Sequence, residues 1–415
     1  MAGSDGVEES TPLLIRSKLG NASAARTFGN IIVSIVGTGV LGLPYTFQVS
    51  GWASGTLAVV VSAALTYYCM CLLVNTRKKL EEGGHADILT YGDLGNQAYG
   101  SLGQTLVDIM VLVSQSGCCV AYLIFIGQNL SSIFMSSTDR QALFISILLP
   151  MQLLMGCVRS LSGLAPFSIL ADICNVLAMG MVLKDDFNSF QGLNGVVTFR
   201  DWSGVPFAIG VAVFAYEGFG MTLALEASMK RPCLFSRVLA QAFVLITILY
   251  ITFGLVGYFA FGENTRDIIT LNLPNDWSTI VVKVGLCIAL TFTFPVMMYP
   301  VHELVENKLI ACTYFQKKLA PRPMISKLSL DGIRGMTVLI VAAIAVMVPT
   351  FSVFISLVGS TVCAMMAFVF PAFFHLQVFK GSLSTWQWVG DVILIGAGLT
   401  FAVYGTISTC LGGLS

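Results

Sequence analysis

An acidic residue in the middle of a long apolar segment is the most chemically distinctive feature of this sequence. Glu217 lies about halfway along VPFAIGVAVFAYEGFGMTLALEASM, and its nearest charged neighbour is Glu226. Burial in an apolar medium favours the neutral acid, which can then bind and release a proton near neutral pH. Three roles are open for Glu217: proton exchange, recognition of an ammonium group, and a hydrogen bond that holds the surrounding helix in place.

Asp172 is a second acidic residue inside an apolar segment. It is also a candidate for proton exchange, because an ionisable group within a membrane span is a functional candidate by default. It lies only a few residues from the end of its segment, and a hydrogen-bonded helix anchor explains it equally well. Charged residues still closer to segment ends are expected to be structural; they are Asp108, Glu226, Lys283, Glu303 and Asp391.

Glycine and proline interrupt the first apolar segment, FGNIIVSIVGTGVLGLPYTF. Both residue types destabilise a helix interior, and freed backbone groups are tolerated in a membrane only where they line a cavity or contact other protein groups. A helix that restarts near Gly39 leaves free N–H groups at Gly39, Val40 and Leu41, which suit a carboxylate. The Thr38 hydroxyl adds a further donor, and Gly37 leaves room for a ligand. Close helix packing is the alternative explanation of such small residues.

A second interruption surrounds Glu217. A helix that ends near Phe214 and Ala215 leaves carbonyl groups with negative dipole character, which suit an ammonium group. Gly218 leaves space beside them. The aromatic side chains at this interruption can contact an aliphatic or aromatic ligand group, although aromatic residues in a helix bundle usually serve packing; they are Phe214, Tyr216 and Phe219.

The segment GTGVLG at residues 37–42 also matches the dinucleotide-binding pattern G-x-G-x-x-G. That pattern requires a preceding strand, a βαβ unit and an acidic residue about 20 positions later. Here an apolar segment surrounds the glycines and the corresponding later position is Val60. We therefore reject a dinucleotide site.

The composition places the chain in a lipid bilayer. Of 415 residues, 56% are hydrophobic and 11% are charged, whereas roughly a quarter of a soluble domain is charged. The Lys and Arg residues form no dense cluster of the kind that binds nucleic acid. The three histidines are far apart and no nucleophile has a nearby base, so we expect no metal, no cofactor and no enzymatic activity.

With roughly 20 residues taken as the length that a bilayer requires, the hydropathy pattern predicts about eleven transmembrane helices. Residues 1–26 form a predicted cytosolic tail without the features of a signal peptide. Most Lys and Arg residues fall in loops on the same side as this tail, which places the N-terminus in the cytosol. The predicted spans are 27–48, 52–75, 103–135, 141–158, 166–184, 205–229, 234–261, 277–302, 334–350, 352–378 and 386–410.

The two interruptions divide this single transmembrane domain into two similar halves. Residues 27–184 contain five predicted spans, residues 205–378 contain the next five, and each set opens with an interrupted helix. The first set starts inside and the second outside, so the halves are inverted copies, with residues 386–410 as an eleventh helix. Interrupted helices at corresponding positions of inverted halves indicate the substrate site of a transporter.

Four segments of the chain are distinctive when they are taken together: GNIIVSIVGTGVLGLPYTFQVSGW (29–52), LTYGDLGNQAYG (89–100), FAYEGFGMTLALEASMK (214–230) and DIITLNLPNDWS (267–278). They resemble the amino acid/auxin permease family, and most closely its plant aromatic and neutral amino acid transporters. The resemblance extends over essentially the whole chain. It implies the LeuT-type fold, an all-α architecture of two inverted five-helix repeats plus one extra helix, and amino acid transport that is usually coupled to protons.

The expected function is therefore proton-coupled transport of neutral or aromatic amino acids by alternating access around the two interrupted helices. The expected partners are the amino acid substrate and the lipid bilayer, and H+ is the expected coupling ion. Two alternatives stay open: a sensor that binds an amino acid without moving it, and a carrier of aromatic organic acids such as auxin.

The N-terminal tail contains Glu9, Leu13 and Leu14 in the spacing of an acidic dileucine sorting signal. Such a signal is read by a sorting adaptor and does not anchor the protein. It favours the vacuolar or endosomal membrane over the plasma membrane, as does the resemblance to the vacuolar branch of the family.

Overall fold

The computed structural model describes residues 20–84, 88–135, 140–158, 161–188, 196–274, 276–313, 315–316 and 323–412, and within these the side chains of 161–172, 188 and 323 are not described. These residues form helices joined by short loops, which confirms the all-α prediction. The α-helices are α1 (Ala24–Ile35), α2 (Leu43–Ser50), α3 (Trp52–Glu82), α4 (Tyr91–Met135), α5 (Gln141–Gly156), α6 (Leu161–Asn188), α7 (Gly204–Ala215), α8 (Phe219–Ser228), α9 (Phe235–Phe261), α10 (Trp277–Ala311), α11 (Pro323–Met347), α12 (Phe351–Val358), α13 (Phe370–Val378) and α14 (Thr385–Gly412).

Both predicted interruptions are present. Between α1 and α2 the chain forms a 3-10 turn at Thr38–Gly42 and bends by 49°. Between α7 and α8 the helical path stops at Ala215 and restarts at Phe219. By contrast, α12 and α13 continue into each other through two π-helical turns, Gly359–Cys363 and Met365–Val369.

Nine of the eleven predicted spans correspond to helices of sufficient length and apolarity in the described part of the chain. Eight spans meet this criterion when α7 with α8 and α12 with α13 are each taken as one span, and the bent pair formed by α1 and α2 makes the ninth. At 16 residues, α5 is apolar but short, and α6 is a 28-residue helix whose first side chains lie outside the description. The full count of eleven therefore stays a prediction.

The helices pack in two groups. In the bundle group, α9 contacts α1, α2 and α3, while α7 contacts α2 and α3 and α8 contacts α1 and α3. In the scaffold group, α10 contacts α4, and α11 contacts α4 and α5. The helix α12 contacts both α7 and α4, and α14 packs on the outside against α13. The two interrupted helices both belong to the bundle group.

A short backbone bridge ties the start of α1 to the end of α8. The Ala22 N–H donates to the Ser228 carbonyl at 3.0 Å, and the Lys230 N–H donates to the Ala22 carbonyl at 2.9 Å. Main-chain hydrogen bonds therefore join the start of the first interrupted helix to the end of the second.

Candidate functional site

The first interruption opens at Gly37, whose backbone is extended with φ −129° and ψ −154°. Low helix propensity explains the break, because Gly37, Gly39 and Gly42 all weaken a helix. Pro44 is then well placed near the start of α2, where its missing N–H has no intrahelical partner to lose. The sequence thus stops one helix and starts another within seven residues of backbone, at positions 37–43.

The free N–H groups at this interruption lie two residues earlier than expected. Because Thr38–Gly42 form a 3-10 turn, each N–H from Val40 onward bonds to the carbonyl three residues before it. The donors without a partner in the turn are therefore those of Gly37, Thr38 and Gly39. The sequence prediction of Gly39, Val40 and Leu41 assumed a different helix start. The side chains of Thr38, Val40 and Leu41 are buried.

The second interruption has its carbonyl end at Ala215. The Tyr216 N–H donates to the Ala212 carbonyl, and the Glu217 N–H donates to the Phe214 carbonyl at 3.1 Å. The backbone of Gly218 is extended at φ 179°, and α8 begins at the next residue. The main chain is thus stretched between two helix ends without a strained conformation.

The two interruptions touch each other at Gly39. A Cβ atom on Gly39 would lie 2.9 Å from the Cα of Ala215 and 3.3 Å from the Phe214 ring. In contrast, a Cβ on Gly37 or Gly220 would meet no other group within 4 Å. Open space therefore borders Gly37 and Gly220, whereas Gly39 is where the two backbones meet.

Tyr250, which belongs to no sequence motif, lies at the same junction. The Tyr250 hydroxyl on α9 lies 2.8 Å from the Ala215 carbonyl oxygen and 3.2 Å from the Ile35 carbonyl oxygen. Its single proton is shared between the last residues of α7 and α1. No sequence signal distinguishes Tyr250 beyond a hydroxyl at mid-span, because α9 contains no proline and no charged residue near it.

Glu217 faces the scaffold group. Its carboxyl lies beside the Ser114 hydroxyl on α4, and the Cys118 and Cys363 thiols are close to it. One carboxyl oxygen, Oε1, is buried and has no hydrogen-bond partner among the described residues. The carboxyl therefore sits at the contact between a bundle helix and a scaffold helix, with one acceptor unused.

The aromatic residues at the second interruption serve mainly as packing. The Tyr216 ring is fully buried, stacks on Phe243 with centroids 5.6 Å apart, and donates its hydroxyl proton to Thr247 at 2.9 Å. Phe214 and Phe219 are also buried. Phe214 lies next to Gly39, so it is the aromatic residue of the three that borders the junction.

Some candidate residues cannot be placed at the site. The backbone of Asp172 belongs to α6, but its side chain lies outside the description. The predicted sorting signal of Glu9, Leu13 and Leu14 lies outside the described residues altogether. Among the described residues, no cluster of His, Cys, Asp and Glu is arranged to hold a metal ion.

Charged residues near helix ends are more buried than their positions suggest. Glu226 forms a 2.7 Å ion pair with Arg77 on α3. Asp391 is fully buried and lies 2.6 Å from the His375 ring nitrogen. Lys283 is 1% exposed, with its amine 3.4 Å from the Ser132 hydroxyl. Neighbouring helices enclose all three side chains.

Residues 20–411 match the family model described as transmembrane amino acid transporter protein. The chain belongs to this family. It is thus a multi-pass membrane protein of amino acid transport and not an enzyme, which confirms the family resemblance seen in its sequence.

Curated relatives of the family cover nearly the whole chain. Amino acid transporter ANT1 of Arabidopsis thaliana is 48% identical over 402 residues, which is 94% of this chain and 93% of the relative. Amino acid transporter AVT3A of the same plant is 42% identical over 96% of this chain and 91% of its own length. Vacuolar amino acid transporter 3 of Schizosaccharomyces pombe is 26% identical and matches over 88% of this chain and 55% of its own length.

Solved transporter structures share the fold. An inward-facing structure of Mhp1 aligns with a TM-score of 0.55 at 12% identity, covering 98% of this chain and 93% of that one. A structure of MhsT in complex with L-phenylalanine aligns with a TM-score of 0.52 at 12% identity, covering 92% and 98%. These similarities confirm the LeuT-type fold, while the boundaries of the two repeats stay predictions.

Proposed function

We propose that this transporter carries neutral or aromatic amino acids together with protons, by alternating access around its two interrupted helices. The observation that carries the proposal is the contact between Gly39 and Ala215. It brings the free N–H groups of the first interruption next to the carbonyl end of α7. The N–H groups suit the carboxylate of an amino acid and the carbonyl end suits its ammonium group.

The charge of the two interruptions supports a substrate with a neutral side chain. Residues 36–42 and 214–220 contain a single ionisable carboxyl, that of Glu217, and no basic residue. A charged substrate side chain would need a paired opposite charge in this apolar setting, because an unpaired buried charge is costly. The apolar ring of Phe214 beside the junction suits aliphatic and aromatic side chains instead.

Glu217 supports proton coupling through its position. A carboxyl that lies between a bundle helix and Ser114 of a scaffold helix changes its surroundings whenever the two groups move relative to each other. Such a change alters the relative stability of its neutral and charged forms, so protonation and movement are linked. The unused Oε1 acceptor leaves room for a proton on the carboxyl.

The distribution of ion pairs supports movement of the bundle group against the scaffold group. Arg77 and Glu226 join two bundle helices, whereas Arg334 and Glu306 join two scaffold helices at 2.6 Å. Between residues that the structure describes, no ion pair joins a bundle helix to a scaffold helix. Each group is held together internally, and their relative movement separates no such pair.

The vacuolar membrane is the compartment we propose. Curated relatives of this chain include vacuolar amino acid transporters of two yeasts. The predicted dileucine signal at Glu9, Leu13 and Leu14 points the same way. The predicted cytosolic N-terminus would then expose this signal to cytosolic adaptors.

Uptake into liposomes that contain the purified protein tests the proposal. Labelled phenylalanine and alanine are supplied first with an imposed pH gradient and then with a sodium gradient. We expect both amino acids to accumulate with the pH gradient, and neither labelled lysine nor labelled glutamate to do so. Binding without uptake in folded protein would favour a sensor, and uptake of indole-3-acetate alone would favour an organic acid carrier.

A further inference from the structure

Two helix ends of the same polarity converge at the junction of the interruptions. The helix α1 ends at Ile35 and α7 ends at Ala215, and both terminal carbonyl oxygens lie within 3.2 Å of the Tyr250 hydroxyl. The C-terminal end of a helix carries roughly half a negative charge. Two such ends side by side form a strongly negative point in the bilayer interior, which needs a positive partner.

Carbonyl oxygens at the ends of interrupted helices are ligands for alkali cations in secondary transporters. Here the positive partner is the hydroxyl hydrogen of Tyr250. The side chain is fully buried, and its ring lies 5.1 Å from that of Tyr216, which is itself fixed by Phe243 and Thr247. The hydroxyl is thus held at the two carbonyls by the packing of the tyrosine ring.

We propose that the Tyr250 hydroxyl takes the place of an alkali cation at the Ile35 and Ala215 carbonyls, so that amino acid binding needs no Na+. The assignment rests on the proposed function, since it concerns the same substrate site. It makes Tyr250 a specificity-determining residue for the coupling ion. A covalently attached donor holds the two half-helices together in every state, which leaves the proton as the mobile coupling charge.

The test compares thermal unfolding of the purified protein in NaCl, KCl and choline chloride at one ionic strength, alongside uptake in the same salts. Tyr250→Asn opens space beside the two carbonyls and supplies an amide oxygen. Tyr250→Phe removes the hydroxyl and keeps the space filled. Tyr258→Phe is the matched control, because Tyr258 is a buried residue of the same helix whose hydroxyl accepts the Val197 N–H at 3.1 Å, away from the junction.

We expect the melting temperature of the natural protein, of Tyr250→Phe and of Tyr258→Phe to be the same in all three salts. The Tyr250→Asn protein becomes more stable in NaCl than in choline chloride by about 3 °C or more, because a cation that binds only the folded state stabilises it. Sodium-dependent stability or uptake in the natural protein would overturn the assignment. A folded Tyr250→Asn protein without any response to sodium would overturn it as well.

If Tyr250→Asn does not fold, Tyr250→Ser is used in its place, because it opens the same space. The response of the natural protein to sodium still tests the proposal. The two proposals can fail separately. Uptake driven by sodium would contradict the role proposed for Tyr250 but would still show amino acid transport. If the melting temperatures respond to the salts as expected but no amino acid is taken up, the proposed function is contradicted and the role proposed for Tyr250 is supported.

Discussion

Gly39 on the 3-10 turn and Ala215 at the end of α7 hold the backbones of the two interrupted helices in direct contact. The distance from the position of a Gly39 Cβ to the Ala215 Cα is 2.9 Å, which no side chain can occupy without displacing main chain. The junction therefore depends on glycine for a close approach and not for an unusual dihedral angle. The proposed substrate site and the packing of the bundle share this one contact.

Substituting Gly39 by alanine is expected to destabilise the protein. The added methyl group must displace the main chain at Ala215, and overpacking of this kind costs about 1–3 kcal/mol. Gly37→Ala is the matched control, because a methyl group there meets open space and the backbone suits any residue. Thermal unfolding in detergent measures the difference. Equal melting temperatures for the two variants would show that the main chain at Ala215 shifts at little cost in stability.

Substituting Glu217 by glutamine is expected to leave the fold intact and to abolish accumulation driven by a pH gradient. The amide has the shape of the neutral acid but exchanges no proton. Exchange of labelled for unlabelled amino acid across the membrane should persist, since it needs no net proton movement. Glu82→Gln neutralises a 72% exposed carboxylate at the end of α3 and serves as control. Full proton-driven uptake by Glu217→Gln would exclude Glu217 from coupling.

Arg77 and Glu226 are expected to stabilise the bundle group only when both are present. Arg77→Met leaves the 1% exposed Glu226 carboxylate without its closest partner, and breaking a buried pair in this way costs about 3–5 kcal/mol. Lys78→Met removes a 37% exposed partner at 3.5 Å and is expected to cost about 1 kcal/mol or less. Melting temperatures rank the two variants, and the double variant Arg77→Met, Glu226→Leu should recover much of the loss. A destabilisation of equal size in both single variants would contradict the assigned geometry.

Replacement of Leu13 and Leu14 by alanine is expected to redirect the protein from the vacuolar membrane to the plasma membrane. An adaptor that reads the dileucine signal can no longer bind, while the transmembrane helices are untouched. Fluorescence microscopy of a tagged full-length chain in plant cells measures the distribution. Leu19→Ala is the control from the same tail, and unchanged vacuolar fluorescence in the double variant would rule out the signal.

Local composition predicted the interruptions, since glycine and proline act on the helix that contains them. The break before Gly39 and the break around Gly218 follow from low helix propensity and were placed within a few residues. The free N–H groups include those of Gly37 and Thr38 and not those of Val40 and Leu41, because the helical path resumes as a 3-10 turn. Helix propensity does not distinguish a 3-10 turn from an α-helix. The arrangement of the helices in space was predicted from the family resemblance.

Contacts between distant helices could not be predicted from the sequence in the same way. Tyr250 meets Ile35 across 215 positions of sequence, and Arg77 on α3 pairs with Glu226 on α8. A membrane helix that is apolar on every side does not indicate which face packs against protein. The partner of a polar side chain in such a helix emerges only when the helices are assembled.

The separation of ion pairs into the two helix groups has a kinetic consequence. Dissolved salt screens interactions between charges, so a reorientation that parts charges would change its rate with ionic strength. Between the described residues no ion pair joins the bundle group to the scaffold group, and the Glu217 carboxyl lies beside Ser114 at their boundary. We therefore expect the turnover rate to follow temperature and acidity while it stays nearly constant from dilute buffer to the salt content of a vacuole.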